Sequence, residues 1–280
     1  MKKLAAALAL SLLPLAFAAQ AEITTTDVVG RKVTVPDVPK RVVLGFYYED
    51  YLAIAGPGSL DRVVGLSLTT WKDWRPKQFA AYEKALPKLK TLPDVGSTDD
   101  NTFSIEKLIA TKPDLLILAT FSYEALGESV KQIEAAGIPV LVLDYLSQTV
   151  DKHVASTLAL GKIMGQEKRA QELADNYRKA FEDIDARIKK AGPTKKKVYF
   201  ELAQKGASEV GNSYGNSMWG ALVTRLGGHN IADGQVGNWG PLSPEYVLSQ
   251  KPDLIFLAGS EWLNKPQSVQ MGFGATAEVA

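Results

Sequence analysis

One stretch of seventeen residues occurs twice in this chain, and the duplication restricts the fold more than any other feature. Residues 104–120 read SIEKLIATKPDLLILAT and residues 243–259 read SPEYVLSQKPDLIFLAG. At an offset of 139 the copies share Ser104/Ser243, Glu106/Glu245, Lys112/Lys251, Pro113/Pro252, Asp114/Asp253, Leu115/Leu254, Leu118/Leu257 and Ala119/Ala258. Both follow one local plan. A Ser caps a helix N-terminus, and a Glu stands in the first turn, where the helix dipole favours negative charge. Lys-Pro-Asp then ends the helix, because a residue before proline avoids the helical region. The apolar run that follows reads as a buried strand. A solenoid would repeat every 20–50 residues or so, far less than the observed separation. The expectation is two similar lobes.

The first 21 residues, MKKLAAALALSLLPLAFAAQA, carry Lys2 and Lys3, an apolar core, and a small-x-small end at Ala19-Gln20-Ala21. That is the pattern of a cleavable secretory signal, and its apolar run is too short to cross a bilayer. Without it the chain has 30 basic against 31 acidic residues, a net charge of −1. Such balance gives no reason to expect nucleic acid or an anionic membrane as partner. There is no cysteine, so neither disulfides nor a lipid-bearing Cys are available. The expected location is the periplasm, as a free protein that is not lipid-anchored.

Along the rest of the chain, strands alternate with helices of about ten residues, the signature of βαβ units. Thr and Val alternate around Val29-Gly30 as a hairpin. Strands are expected at 41–44, 62–66 and 139–143, and helices at 49–55, 78–86 and 124–136, the last closed by Gly137. Residues 151–190 contain no Pro, and apolar residues recur at helical spacing, with Gly165 dividing a shorter helix from one over about 166–190. Twenty-five helical residues span about 37 Å, enough for a rigid strut. A strand at 198–202 and a helix at 217–226 precede the second repeat copy. After it, residues 264–280 show no strand pattern, so the second lobe reads as truncated. The fold class is α/β: two Rossmann-like lobes with mostly parallel sheets joined by one long α-helix. The expected boundaries are 1–21 for the signal, 22–150 for the first lobe, 151–192 for the linking helix and 193–280 for the second lobe.

The candidates for chemistry are few. Gly211-Asn212-Ser213-Tyr214-Gly215 matches the G-x-S-x-G nucleophile elbow, but that hydrolase chain order needs an acid and then a His after the Ser. The only downstream His, His229, precedes Asp233 and Asp253, so a serine esterase using Ser213 is the distant alternative. With only His153 and His229, no Cys and no clustered carboxylates, a metal site built from protein ligands is not expected. Aromatic residues and an Arg concentrate instead in loops after strands: Tyr47, Tyr48, Trp71, Trp74, Arg75, Tyr123, Tyr214, Trp239 and Trp262. Ligands of open α/β sheets bind beyond the carboxyl ends of strands. Of this group, Tyr47, Trp71, Arg75, Tyr123, Tyr214, Trp239 and Trp262 are the expected ligand contacts, although Trp and Tyr also serve as core residues. Glu106 and Glu245, equivalent in the two lobes, suit a second role as paired acidic knobs for a two-fold partner.

DVVGRKVTVPDVPKRVV (27–43), the two E-x-x-(I/L/V)-x-x-KPDL copies and RLGGHNIAD (225–233) resemble the class III periplasmic substrate-binding proteins of ABC importers, which carry iron–siderophores, haem and cobalamin. The resemblance covers essentially the whole chain after the signal. It implies ligand held between two α/β lobes, and docking of Glu106 and Glu245 onto arginines of a dimeric inner-membrane permease. It further implies a monomeric binding protein, not an enzyme, with no cofactor of its own. The cargo would be a small-molecule metal chelate, a ferric siderophore before cobalamin, haem or an oxyanion such as molybdate. Arg75 would neutralise an anionic chelate, and the Trp and Tyr rings would pack its planar groups.

Overall fold

The computed structural model describes residues 22–258 apart from Pro57, Trp74, Pro193, Lys195 and 203–210. The secretory segment, Trp74, Trp262 and the tail beyond the second repeat copy lie outside the described residues. The chain opens with the expected hairpin, β1 (Ile23–Thr26) against β2 (Lys32–Val35), turning at Gly30. The first lobe then runs β3 (Val42–Leu44), α1 (Tyr48–Ala55), β4 (Val63–Leu66), α2 (Pro76–Ala85), α3 (Ile105–Ala110), β5 (Leu115–Ala119), α4 (Thr120–Leu126), α5 (Ser129–Ala135) and β6 (Val140–Leu143). Its four strands lie in the order β4-β3-β5-β6, all parallel.

Two departures from the sequence expectation occur here. The helix expected over 124–136 is two helices, α4 and α5, divided where Gly127 takes φ +48°. The loop expected over 67–77 contains a π-helical turn, Thr69–Asp73.

Side chains of a strand alternate between faces, and the first lobe buries both. Val42, Leu44, Leu115, Ile117, Leu141 and Leu143 enter one apolar cluster together with Tyr51 and Ile54 of α1. Val43, Leu116, Leu118, Val140 and Val142 enter a second, with Leu108 of α3 and Val130 and Ile133 of α5. Strands buried on both faces read as unbroken apolar runs, which is why LLILA shows no alternation.

Two helices follow, α6 (Val150–Ile163) and α7 (Glu167–Ala191), joined through Gly165 at φ +65°. Leu160 and Ile163 of α6 and Ala170 of α7 belong to the first core, so both helices pack against the first lobe. The longer of the two is α7, the connector helix, whose 25 residues span about 37 Å. Gly161 sets the contact between the two helices: a Cβ there would lie 2.1 Å from the Cβ of Ala170.

The second lobe comprises β7 (Lys197–Leu202), β8 (Asn212–Tyr214), α8 (Met218–Arg225), β9 (His229–Asn230), β10 (Trp239–Pro241), α9 (Pro244–Gln250) and β11 (Leu254–Ala258). β9 and β11 lie parallel to β7, β8 pairs with β7 antiparallel, and β10 pairs antiparallel with β8, so this sheet is mixed. Arg225 of α8 fastens it to the connector, with a forked pair of bonds to Asp185 (3.0 and 2.6 Å) and its guanidinium over the Phe181 ring.

The two repeat copies are structural equivalents. Ser104 Oγ accepts the Lys107 N–H at 3.2 Å, and Ser243 Oγ accepts the Tyr246 N–H at 3.1 Å. Lys112 and Lys251 both end their helices in the left-handed region. Asp114 accepts the Lys40 and Arg41 N–H groups at 2.8 Å; Asp253 accepts the Lys197 N–H at 2.8 Å and the Lys196 ammonium at 3.2 Å. Each Asp thereby ties the new strand to the start of its neighbour. Val42 pairs with Leu115 and Val198 with Leu254, one register used twice. Burial differs: β5 is buried throughout, but Leu254, Ile255 and Phe256 are about half exposed, and no described strand pairs with the outer edge of β11.

Candidate functional site

The carboxyl ends of β3, β5 and β6 deliver Phe46-Tyr47, Phe121 and Asp144-Tyr145 to one end of the first lobe. Tyr47 takes φ +59°, which turns its ring inward, and its Oη accepts the Tyr145 N–H at 3.0 Å. The Tyr47 and Tyr145 rings meet edge to face at 4.9 Å. Burial pushes both hydroxyls well above the usual tyrosine range, so they remain protonated. Asp144 is buried; its carboxylate accepts the Leu146 and Ser147 N–H groups and the Lys152 ammonium. Burial alone would raise its pKa, but the Lys152 and Ser147 bonds prevail and hold it below the ordinary carboxylate value.

These loops are braced from behind. The Tyr48 hydroxyl bonds the Ser67 carbonyl and the Thr70 Oγ1, and its ring stacks on Trp71 at 4.6 Å with planes 9° apart. Phe79 and Tyr82 of α2 close on the other sides of that indole. Trp71 is 1% exposed. It is a core residue, and the same holds for Tyr47 at 4%. Two of the seven expected ligand contacts thus serve as the platform beneath the surface in this conformation.

The aromatic surface itself is made by Phe46 and Phe121, half-buried and meeting edge to face at 5.1 Å. Sequence reasoning passed over both. The available signal was position: each sits within two residues of the end of a buried strand. Arg75 is exposed at the N-cap of α2, 3.7 Å from Glu49, whose carboxylate also accepts from Gln78. A surface pair of that length is worth little, so its charge is available to an incoming group. Tyr123 lies elsewhere. Its ring packs against the second core cluster and carries the Arg31 guanidinium at 4.7 Å, which is held in turn by Asp27, Glu134 and the Val140 carbonyl.

In the second lobe Tyr214 and Trp239 are register partners on β8 and β10. Tyr214 is half-buried near Phe200, whereas Trp239 is 57% exposed. A further exposed indole, Trp219, stacks on Phe200 at 5.4 Å and was not among the sequence candidates. Trp262 lies outside the described residues.

Ser213 occupies the middle of β8 rather than a strand-to-helix elbow. It is fully buried, and no hydrogen bond joins it to His153 or His229. The esterase geometry is absent from this stretch. Among the described residues no three His, Cys, Asp or Glu side chains are grouped to hold a metal.

Glu106 and Glu245 stand in the first turns of α3 and α9, both exposed and neither in an ion pair or hydrogen bond with a described residue. The Ser104 N–H donates to Val95, which itself bonds Leu66 at the carboxyl end of β4. Glu106 therefore lies at the same end of the sheet as the aromatic loops.

A family model described as periplasmic binding protein matches residues 43–271. The chain belongs to the periplasmic binding protein family. It is 26% identical over 234 residues to the uncharacterized ABC transporter substrate-binding lipoprotein YvrC of Bacillus subtilis, covering 83% of this chain and 68% of that one. The molybdate-binding protein MolA of Haemophilus influenzae is 26% identical over 263 residues, covering 87% and 70%. The crystal structure of the TroA-like periplasmic binding protein FepB from Veillonella parvula is similar with a TM-score of 0.75 and 32% identity, over 91% of this chain and 74% of that one. This periplasmic binding protein is accordingly not an enzyme; its class presents small-molecule ligands to the permease of an ABC importer. Among the described residues no helix is long and apolar enough to cross a membrane.

Proposed function

We propose that this protein captures a chelated metal, a ferric siderophore in the first instance, between its two lobes and hands it to an inner-membrane ABC permease. The observation that carries the delivery step is the pair Glu106 and Glu245. They are equivalent in two copies of one helix–strand unit, exposed, and free of any described cationic partner. A carboxylate left unpaired at the same place in both lobes matches basic pockets on a two-fold permease. For cargo, the half-buried Phe46 and Phe121 on one lobe and the exposed Trp239 and Trp219 on the other supply ring-packing surfaces. Arg75 supplies a positive charge for an anionic chelate. The cargo is the only metal-bearing group in this reading, in which the protein works as a monomer without a cofactor.

Two experiments test it. Titrating ferric siderophores, haem, cobalamin and molybdate into the protein while following Trp fluorescence should show a ferric siderophore binding more tightly than about 10 μM, roughly −7 kcal/mol. If another member of the panel binds and no siderophore does, the cargo assignment falls. Replacing Glu106 and Glu245 by Ala should leave cargo affinity unchanged and abolish uptake; unchanged uptake would refute the docking role.

A further inference from the structure

A recess of about 250 Å³ lies where α1, α6 and α7 meet, beside the loop after β6. At ~30 Å³ per liquid water it is about eight waters in volume. Ile54 and Leu173 make its aliphatic wall, and Tyr145, His153 and Tyr177 its aromatic one. The His153 and Tyr177 rings are parallel at 3.6 Å, and Tyr145 meets His153 edge-on at 4.7 Å. Burial pulls the imidazole pKa down to about 4, so His153 is neutral. That leaves one formal charge on the wall, Asp50 in the first turn of α1.

Asp50 forms no ion pair with a described residue, and its one backbone donor is its own N–H. The nearby charges are Glu49 and Arg75, which face each other at 3.7 Å, and at Asp50 the Glu49 carboxylate outweighs the Arg75 guanidinium. Burial, reinforced by Glu49 and opposed by Arg75, raises the Asp50 pKa to about 6. At neutral pH the recess thus holds a carboxylate with apolar walls and no counter-ion. An anion would meet repulsion there, and a neutral molecule would leave the carboxylate desolvated and unpaired. A bare metal would find too few ligands. An organic cation satisfies both halves of the site, because a charge pair gains strength where water is partly excluded.

We propose that this recess binds a small organic cation, an ammonium group on an apolar body, with Asp50 as its counter-ion and the rings of Tyr145, His153 and Tyr177 as its walls. The site lies within the first lobe and its connector, and it stands independently of the cargo reading.

The test is isothermal titration of the full chain with phenethylammonium, with phenethyl alcohol and phenylacetate as neutral and anionic probes of the same body. Only the cation should bind at millimolar concentration or below. Asp50→Asn should weaken it at least about ten-fold. Affinity should also fall about ten-fold between pH ~7.5 and pH ~5, since only about a tenth of Asp50 is then ionised and the apparent Kd scales inversely with the competent fraction. His153 and the tyrosines do not change charge over that range. A second readout is the His153 ring-proton resonance, assigned by its loss in His153→Phe, which should shift on addition of the cation. Equal binding of the alcohol, an unaffected Asp50→Asn variant, or no binding of the cation would each overturn the proposal. Successful siderophore titration alongside a failed amine titration would sink this inference alone.

Discussion

Adding one methyl group at Gly161 should loosen the whole connector. The new Cβ would lie 2.1 Å from the Ala170 Cβ, against an ordinary carbon–carbon contact of about 3.5–4.0 Å. Ala170 and Ala174 are fully buried in that seam, so neither can rotate away. The helices must move apart by about 1.5 Å, and overpacking of this kind costs ~1–3 kcal/mol. Ala in place of Gly in a helix interior returns up to about 1 kcal/mol. The expected net loss for Gly161→Ala is therefore about 1–2 kcal/mol, read from urea unfolding followed by far-UV circular dichroism. Moving the methyl across the seam, Gly161→Ala with Ala170→Gly, should restore part of it and give a coupling energy of about 1 kcal/mol in a double-mutant cycle. Gly237→Ala is the control, since nothing lies within 4 Å of its added Cβ. A Gly161→Ala protein as stable as the parent, or strict additivity in the cycle, would refute the close-packed seam.

Three further outcomes follow from the same geometry. Trp71→Ala should destabilise by about 3–5 kcal/mol, the cost of deleting a buried indole, in chemical denaturation; a stable variant that merely loses cargo affinity would show the residue to be a ligand contact instead. Asp114→Ala removes the acceptor of two backbone N–H groups and should cost about 2–3 kcal/mol, more than Asp253→Ala, which loses one backbone donor and an exposed Lys196; the reverse order would refute the view that the backbone bonds set the cost. For His153, the folded pKa of about 4 lies below the ordinary 6.5, so the unfolded chain takes up the proton first. Its contribution is complete above pH ~6.5 and is lost as pH falls toward about 4, so His153→Phe should flatten the decline of the urea midpoint over that window, and an unchanged decline would show that other groups cause it.

Much of the architecture is legible in the sequence. The Ser caps, the left-handed Lys before Pro and the strand that follows are local devices, decided within a few residues, and both copies carry them in full. The unbroken apolar run of Leu115–Ala119 agrees with a strand covered on both faces, although the equally apolar Leu254–Ala258 is about half exposed, so the run alone does not fix the cover. The break at Gly127 was illegible, since the apolar spacing of Glu124–Ala136 suits one helix as well as two; only a positive φ distinguishes them. The mixed second sheet was equally hidden. Nothing local to Asn212–Tyr214 says that it returns antiparallel to β7, and its G-x-S-x-G spelling points toward a helix-entering turn instead.

The site divides the same way. Sequence alone determined that aromatic residues cluster after strands, and that Glu106 and Glu245 are twins, because composition and repetition are properties of the chain in one dimension. Which aromatics face outward is settled by packing in three dimensions. Tyr47 and Phe46 are neighbours of similar size, yet a left-handed φ at Tyr47 sends one ring under Tyr145 and leaves the other at the surface beside Phe121. Burial is set by what other segments place opposite a residue, and α2, β6 and α7 arrive at this end of the lobe from far along the chain.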